Sequence, residues 1–147
     1  MINKILAWFN AEEESVEPLD VKLAEAVLLV EVMMADNRVD EQELQGIHEV
    51  LEQEFALTRA EQDEVIEAAE QMVRESNDLF RFTQCLNDHF DVERKYQFIV
   101  TLWRIAFADG ELDQYEDHMI RKINELLYLH HSHFIRAKHE AGIPSGG

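Results

Sequence analysis

Residues 108–116 read Ala-Asp-Gly-Glu-Leu-Asp-Gln-Tyr-Glu, and residues 35–43 read Ala-Asp-Asn-Arg-Val-Asp-Glu-Gln-Glu, an imperfect copy of the same stretch. Both copies follow a strongly apolar run and precede an acidic run with helical periodicity. Each therefore predicts a tight turn between a buried helix and a more exposed one. The similarity extends into the flanking segments, since Leu29 aligns with Leu102 and Ile47 aligns with Ile120. The chain contains a duplicated helix-turn-helix unit.

Two long apolar segments, residues 19–36 and 92–108, leave little polar surface and predict two central helices. Their most buried parts are expected at 21–34 and 98–107. Strand-like alternation bounded by hairpin turns is absent from the sequence, so we expect an all-α fold. The predicted architecture is a single-domain bundle of about seven or eight helices, built from two helix-turn-helix repeats around the two central helices.

The predicted domain spans residues 19–141, with one segment on each side of it. Residues 1–18 are expected to form a short amphipathic helix, at 2–10, and an acidic linker; residues 142–147 are expected to be a flexible tail. The apolar face of the first helix requires cover, which its own domain or a second copy in a homodimer would supply. Its short length and acidic neighbours argue against a membrane anchor.

The charge of the chain narrows the classes of partner. Its 31 Asp and Glu residues against 13 Lys and Arg residues give a formal net charge of -18. Such a surface repels nucleic-acid phosphates and anionic lipids, so we expect neither nucleic acid nor a membrane as a direct partner. Cations and basic protein surfaces remain as possible partners. The lone Cys85 cannot form an intrachain disulfide, which fits the reducing cytoplasm where we expect this protein to work.

Helix capping explains part of the repeated motif. Asp40 with Glu43, and Asp113 with Glu116, stand three residues apart at a predicted helix start, where the two acids of a pair would serve as N-cap and N3 residue. Gly110 accepts the left-handed backbone that often follows a helix end. One reading of the turns is therefore that their acids only cap helices.

Capping does not explain Asp36 and Asp109, since an acid at a helix C-terminus faces the negative end of the helix dipole. The spacing Asp-Gly-x-Leu-Asp-x-x-Glu is also that of the second half of an EF-hand calcium loop. The first half is missing, because Ile105 and Phe107 stand where its opening acids would be. A complete site would need both turns to face each other.

Two facing turns would give a divalent cation, Ca²⁺ or Mg²⁺, enough oxygen ligands. Like charges about 4 Å apart repel by roughly 4 kcal/mol near a protein surface, so such a cluster would favour a bound cation. The predicted metal ligands are Asp36, Asp40, Glu43, Asp109, Asp113 and Glu116.

The paired turns in an acidic helical chain resemble the tellurite-resistance TerB family, and also the N-terminal domain of DjlA-type J-domain co-chaperones. The resemblance covers about residues 20–140, including the closing segment at 129–138. It implies an all-helical fold, turn acids linked with divalent metal, and a role in stress response exerted by binding. Asn37 and Arg38 depart from the family pattern, which more often has Gly followed by an acid or a small residue.

The remaining motifs favour a binding module over an enzyme. Phosphate-binding Gly-rich loops, GxSxG elbows and HExxH pairs are absent from the sequence. Ser132, as the expected cap of a last helix at 132–141, would separate His130 from His133, which argues against zinc. We expect a protein partner. The alternatives are a purely structural or oligomerising protein with capping acids, and a metal-dependent hydrolase that uses the same carboxylates.

Overall fold

The computed structural model describes residues 20–36, 39–75 and 78–143. They form seven helices and no strand: α1 (Val21–Met33), α2 (Glu41–Phe55), α3 (Arg59–Glu75), α4 (Phe80–His89), α5 (Val92–Ala106), α6 (Gln114–Leu126) and α7 (His131–Glu140). The all-α prediction is therefore confirmed. The predicted helix at residues 2–10 and the linker that follows it lie outside the described residues.

Helix α1 is the most enclosed element of the bundle. Asp20 caps it by accepting hydrogen bonds from the backbone N–H groups of Lys22 and Leu23, and every residue from Leu23 to Val30 is buried. The helix packs most extensively against α3 and α4 and also contacts α2, α5 and α6. Its nearly continuous apolar sequence is explained by neighbours on almost every side.

Helix α5 is the second central element. It is capped by Asp91, which accepts from the N–H of Arg94 at 2.8 Å. It buries Tyr96, Phe98, Ile99, Val100, Leu102, Trp103, Ile105 and Ala106. The indole N–H of Trp103 donates to the backbone oxygen of Phe134 at 3.2 Å, which attaches α7 to this helix. The two central helices touch, as expected, although α1 lies mainly against α3 and α4.

A close crossing between α2 and α5 brings the two repeats together. A Cβ atom added to Gly46 would stand only 2.8 Å from Cδ1 of Ile105, so a larger residue at this position would displace the end of that side chain. Because α2 begins at the first turn and α5 ends at the second, this contact helps to hold the two acidic turns at one end of the bundle.

Glu25 is a buried charge within the apolar face of α1, and the sequence reading did not identify it. Burial raises the pKa of its carboxyl to about 7, while the nearby Arg94 acts in the opposite direction. The Arg94 guanidinium donates to Glu25 Oε1 at 2.8 Å. The pair joins the start of α1 to the start of α5.

The start of α7 differs from the prediction. His130 occupies the N-cap position and the helix begins at His131, so Ser132 is inside the helix and does not cap it. The reason lies in Asn124, whose side-chain amide donates to the backbone oxygens of Leu129 and His130 at 3.3 and 3.2 Å. These two bonds fix the chain just before His130, which sets the helix start.

The end of α7 also differs. Ile143, which the sequence reading placed in the flexible tail, is buried, and its N–H donates to the backbone oxygen of Lys138 at 3.3 Å. Gly142 adopts a φ of +89° and so allows the chain to turn back over the helix end. Ile143 therefore packs against the bundle.

The burial of α5 can be tested with a single truncation. Leu102→Ala removes a fully buried side chain from this helix, so we expect the free energy of unfolding to fall by about 2 to 5 kcal/mol through lost burial and a residual cavity. Urea denaturation measures this change. Val92→Ala, at a position that is 56% exposed on the same helix, is the matched control and should cost less than about 0.5 kcal/mol. Equal effects of the two variants would contradict a central α5.

Candidate metal centre

The two N-cap aspartates are confirmed, and each one uses a single oxygen for capping. Asp40 Oδ1 accepts from the N–H groups of Gln42 and Glu43 at 2.9 and 3.0 Å. Asp113 Oδ2 accepts from the N–H groups of Tyr115 and Glu116 at 2.8 and 3.2 Å. Within the described part of the chain, the second oxygen of each carboxylate receives no backbone hydrogen bond, so a ligand can contact it while the cap stays intact.

The second turn positions Asp109 in a similar way. Its Oδ1 accepts from the N–H of Glu111 at 3.0 Å, and Gly110 has the left-handed conformation that the sequence predicted, with φ +83°. Helix capping did not explain why an acid stands at this position, and this local hydrogen bond gives Asp109 a role in stabilising the turn. It again occupies one carboxylate oxygen and orients the other.

The structure brings both turns to one cavity of about 290 Å³. All six predicted ligands line it, and so does Glu111, which the sequence reading missed. Among the described residues no basic side chain lines the cavity. Its lining consists of Met33, Asp36, Val39, Asp40, Glu43, Asp109, Glu111, Leu112, Asp113 and Glu116.

One set of three acids converges closely inside the cavity. Ligand oxygens of Asp40, Glu43 and Asp109 all lie within 4.8 Å of one another. Two of these residues come from the first repeat and one comes from the second. Neither turn alone builds this arrangement, which depends on the packing of the two repeats.

Glu43 and Glu116 form a buried acid pair where the repeats meet. Each residue is 3% exposed, and the two carboxyl groups hydrogen-bond to each other. Burial raises the pKa of Glu43 to about 7. Burial, together with the hydrogen bond to Glu43, raises the pKa of Glu116 to about 10. In the absence of a cation the pair therefore retains a proton at neutral pH, with Glu116 donating to the Glu43 carboxylate.

Glu43 and Glu116 occupy the N3 positions that the spacing predicted, but their carboxyl groups do not bond back to the N-cap backbone as in a capping box. Thr58 and Glu61 show what that motif looks like in this chain, since Glu61 Oε1 accepts from the Thr58 N–H at 2.9 Å and Thr58 Oγ1 accepts from the Glu61 N–H at 3.2 Å. The carboxyl groups of Glu43 and Glu116 face each other instead. Each pair has the same spacing in sequence, so tertiary packing makes the difference.

Glu43 Oε1 and Glu116 Oε2 are fully buried and accept no hydrogen bond from any other described group. Only a proton shared within the pair, or a cation, can therefore serve as their positive partner. Both residues line the cavity, so these oxygens are at hand for a cation that enters it. The helical periodicity of the sequence predicts whether an N3 residue faces the core or the solvent. It does not predict that two N3 glutamates from different helices contact each other.

The histidines do not join this centre. His130 and His133 share the first turn of α7, with ring centroids 6.0 Å apart, although the sequence reading placed a helix start between them. Among the described residues, the group whose ligand atoms converge for a metal consists of carboxylates alone. The acids of that group, Asp40, Glu43 and Asp109, belong to the two turns and the helix start that follows the first one.

The acid pair predicts an unusual pH dependence of stability when divalent cations are removed. The folded state holds protons that the unfolded chain has released, because the pKa values of Glu43 and Glu116 are raised on folding. This stabilisation is complete below the ordinary glutamate pKa and is lost progressively as the pH rises through the folded values, about 7 for Glu43 and about 10 for Glu116. Glu25 contributes with the same sign. We expect the free energy of unfolding to fall from pH 5 to pH 8, measured by urea denaturation with a chelator at high constant ionic strength.

Two variants distinguish the effect of the acid pair on this pH dependence from the effect of the overall negative charge. Glu43→Gln removes one member of the pair and should make the fall shallower. Glu49→Gln removes an exposed acid from the same helix and should leave the fall unchanged. Equal slopes in the two variants, or a stability that increases over this range, would contradict the assignment.

The comparisons with known proteins agree with this geometry. The family model described as Tellurite resistance protein TerB matches residues 22–139, which run from the second residue of α1 to the next-to-last residue of α7. Searches of the curated proteins and of the solved structures gave no significant match. Because the family match includes both repeats and both acidic turns, the chain belongs to the tellurite resistance protein TerB family.

Proposed function

We propose that this protein is a binding module whose acidic cavity takes a divalent cation, Ca²⁺ or Mg²⁺. The observation that carries the proposal is the pair of buried oxygens, Glu43 Oε1 and Glu116 Oε2, which line the cavity and accept no hydrogen bond from any other described group. A bound cation would take the place of the proton that the pair otherwise shares. Among the described residues that line the cavity, none carries a positively charged side chain.

The donor set suits a hard cation. Carboxylate oxygens are the ligands that both Ca²⁺ and Mg²⁺ prefer, and Ca²⁺ accepts them in flexible geometry at about 2.3 to 2.6 Å. Ligand oxygens within 4.8 Å of one another, as in Asp40, Glu43 and Asp109, can belong to one such coordination sphere. Mg²⁺, with bonds of about 2.0 to 2.1 Å and stricter octahedral geometry, would require these oxygens to move closer together or to bind through water.

The charge at this end of the bundle also favours a cation. Seven carboxylates line one cavity of about 290 Å³, and two of them at about 4 Å repel by roughly 4 kcal/mol at the effective dielectric of a protein surface. Capping accounts for Asp40 and Asp113, and it does not require the other five to be gathered there. A bound cation converts this repulsion into attraction.

A binding role fits the cavity better than catalysis. The described lining contains carboxylates and the apolar side chains of Met33, Val39 and Leu112, without a serine, cysteine, lysine or histidine nucleophile or base. A metal-dependent hydrolase would rely on the carboxylates alone. In the structural alternative the acid pair is only a proton-sharing contact between the two repeats.

We also propose a protein partner at the mouth of the cavity. Val39 lines the cavity and is 50% exposed, and Tyr115 is exposed on the first turn of α6. Contiguous exposed apolar surface that is rimmed by polar residues marks interaction sites, and in this proposal the two side chains belong to such a surface. In this proposal the protein acts in the cytoplasm in a stress response of the tellurite-resistance kind, through binding and not through a reaction. None of the helices in the described part of the chain is long and apolar enough to cross a membrane.

Thermal unfolding tests the cation proposal. After chelator treatment, Ca²⁺ or Mg²⁺ should raise the melting temperature more than sodium chloride of equal ionic strength, because coordination adds to screening of the -18 charge. At about 100 times the Kd the gain is about 2.7 kcal/mol, or roughly 5 to 10 °C for a domain of this size. Equal shifts in the two salts would overturn the proposal.

Isosteric variants locate the effect. Asp109→Asn keeps an acceptor for the Glu111 N–H and removes a ligand charge, so we expect it to abolish most of the cation-specific gain. Asp36→Asn should reduce the gain less strongly. Glu49→Gln, on an exposed acid of α2, is the control and should leave the gain intact.

A capping role alone predicts a different ranking. Asp113→Ala would then cost about 1 kcal/mol with or without a divalent cation. Asp109→Asn would have little effect on stability under either condition. That pattern would favour the structural alternative.

A further inference from the structure

We infer that a cavity on the other side of the second turn binds a carboxylate that is carried on an apolar body. This α6–α7 cavity is lined by residues of the second turn, of α6 and of α7, and its volume is about 590 Å³. Small-molecule sites in proteins have volumes of roughly 300 to 1,000 Å³. In contrast to the acidic cavity, its lining contains the basic side chains of Arg121 and Lys138.

The two basic side chains converge on one point of this cavity. Arg121 Nη2 lies 3.6 Å from Asp117 Oδ1, and Lys138 Nζ lies 3.8 Å from Asp117 Oδ2. Both distances are longer than the roughly 2.7 to 3.2 Å of an N–H···O hydrogen bond. Asp117 therefore leaves the N–H donors of both side chains available to an anion that enters the cavity.

Aromatic rings hold both basic side chains in place. Arg121 Cζ lies 4.6 Å from the ring centroid of Phe134, and Lys138 Nζ lies 5.3 Å from the ring of Trp103. Both rings are buried, and such cation–π contacts orient a charged group over an aromatic face. The Arg121 and Lys138 side chains are nevertheless 44% and 25% exposed. They are accessible to a ligand and lose less conformational entropy when they bind it.

The remainder of the lining indicates what the anion is attached to. Phe107, Leu112 and Ile143 line the same cavity; Ile143 is buried and the other two are half-buried. They would cover a hydrocarbon group, while the planar guanidinium of Arg121 matches a carboxylate through two parallel hydrogen bonds. Two sources offer this chemistry, a free organic acid and the C-terminal residue of a peptide that ends in an apolar side chain.

Asp113 links this cavity to the acidic one, since it lines both. Its negative charge opposes an anion in the α6–α7 cavity, and a cation in the acidic cavity would offset that charge. We therefore expect the carboxylate to bind more tightly when a divalent cation is present, and the cation to bind more tightly with the carboxylate. Only this dependence rests on the proposed function; the carboxylate site itself does not.

NMR titration of the chelator-treated chain tests the site. The probes are hexanoate and N-acetyl-alanyl-leucine, each compared with its neutral amide. We expect saturable chemical-shift changes at Arg121, Lys138 and Ile143 with the two acids and none with the two amides. Stronger binding of hexanoate would assign a free organic acid to the site, and stronger binding of the acetylated dipeptide would assign a peptide C-terminus.

Four variants locate the binding. Arg121→Gln and Lys138→Gln should each weaken it at least about tenfold, because each removes a hydrogen bond between charged groups. Asp117→Asn removes the competing acid and should strengthen it. Lys122→Gln changes an exposed base of α6 outside the cavity lining and should leave the affinity unchanged. Circular dichroism verifies that each variant is folded.

Three results would overturn the carboxylate site. They are a lack of saturable binding by both acids with and without Ca²⁺, equal binding of the acids and their amides, and an affinity that neither Arg121→Gln nor Lys138→Gln changes in a folded chain. A gain in affinity with Asp117→Asn cannot come from damage to the fold, so it supports the site independently of the losses.

A second titration tests the link through Asp113. Ca²⁺ should increase the affinity for the acids about fivefold relative to sodium chloride of equal ionic strength. Equal affinities in the two salts, for a chain whose melting temperature responds specifically to Ca²⁺, would overturn the link. A chain that binds the acids but not Ca²⁺ would overturn the proposed function and leave the carboxylate site standing.

Discussion

The buried contact between Glu43 and Glu116 is the constraint on which the functional end of this bundle depends. Two carboxylates removed from water and placed together would each lose several kcal/mol of hydration if both were charged. The contact is therefore tolerable only with a proton or with a cation. The apolar packing of α1 and α5 holds the two repeats together and keeps the acids buried. Because the acids cannot separate, one positive partner, either a proton or a cation, has to neutralise part of their charge.

Much of the fold could be predicted from local sequence. The apolar segments around Leu29 and Leu102, and the acids Asp40 and Asp113 at helix starts, correctly predicted central helices and caps. Periodicity and capping depend on residues within a few positions of each other, so they are visible in one dimension. The start of α7 could not be predicted in this way, because Asn124 sets it from the preceding helix.

The contact between Glu43 and Glu116 could not be predicted from local sequence either, because it also depends on residues that are distant in the chain. Asp40 and Glu43 have the spacing of a capping pair, as Thr58 and Glu61 do, yet only Glu61 bonds back to the backbone of its partner. Whether an N3 glutamate turns to its own helix or to another depends on what packs there. Glu25 is a similar case, since its partner Arg94 lies far away in the chain. The set of six acids was predicted, whereas their pairing and Glu111 were found only in three dimensions.

Capping and cation binding are not alternatives at these turns. In Asp40, Asp109 and Asp113 one carboxylate oxygen accepts local backbone N–H groups, while the other receives none from residues 20–36, 39–75 and 78–143. The local bond orders the turn whether or not a cation is present, so the second oxygen is oriented in advance and less conformational entropy is lost on binding. The converging oxygens of Asp40, Glu43 and Asp109 come from both repeats, so one half loop alone could not bring them together.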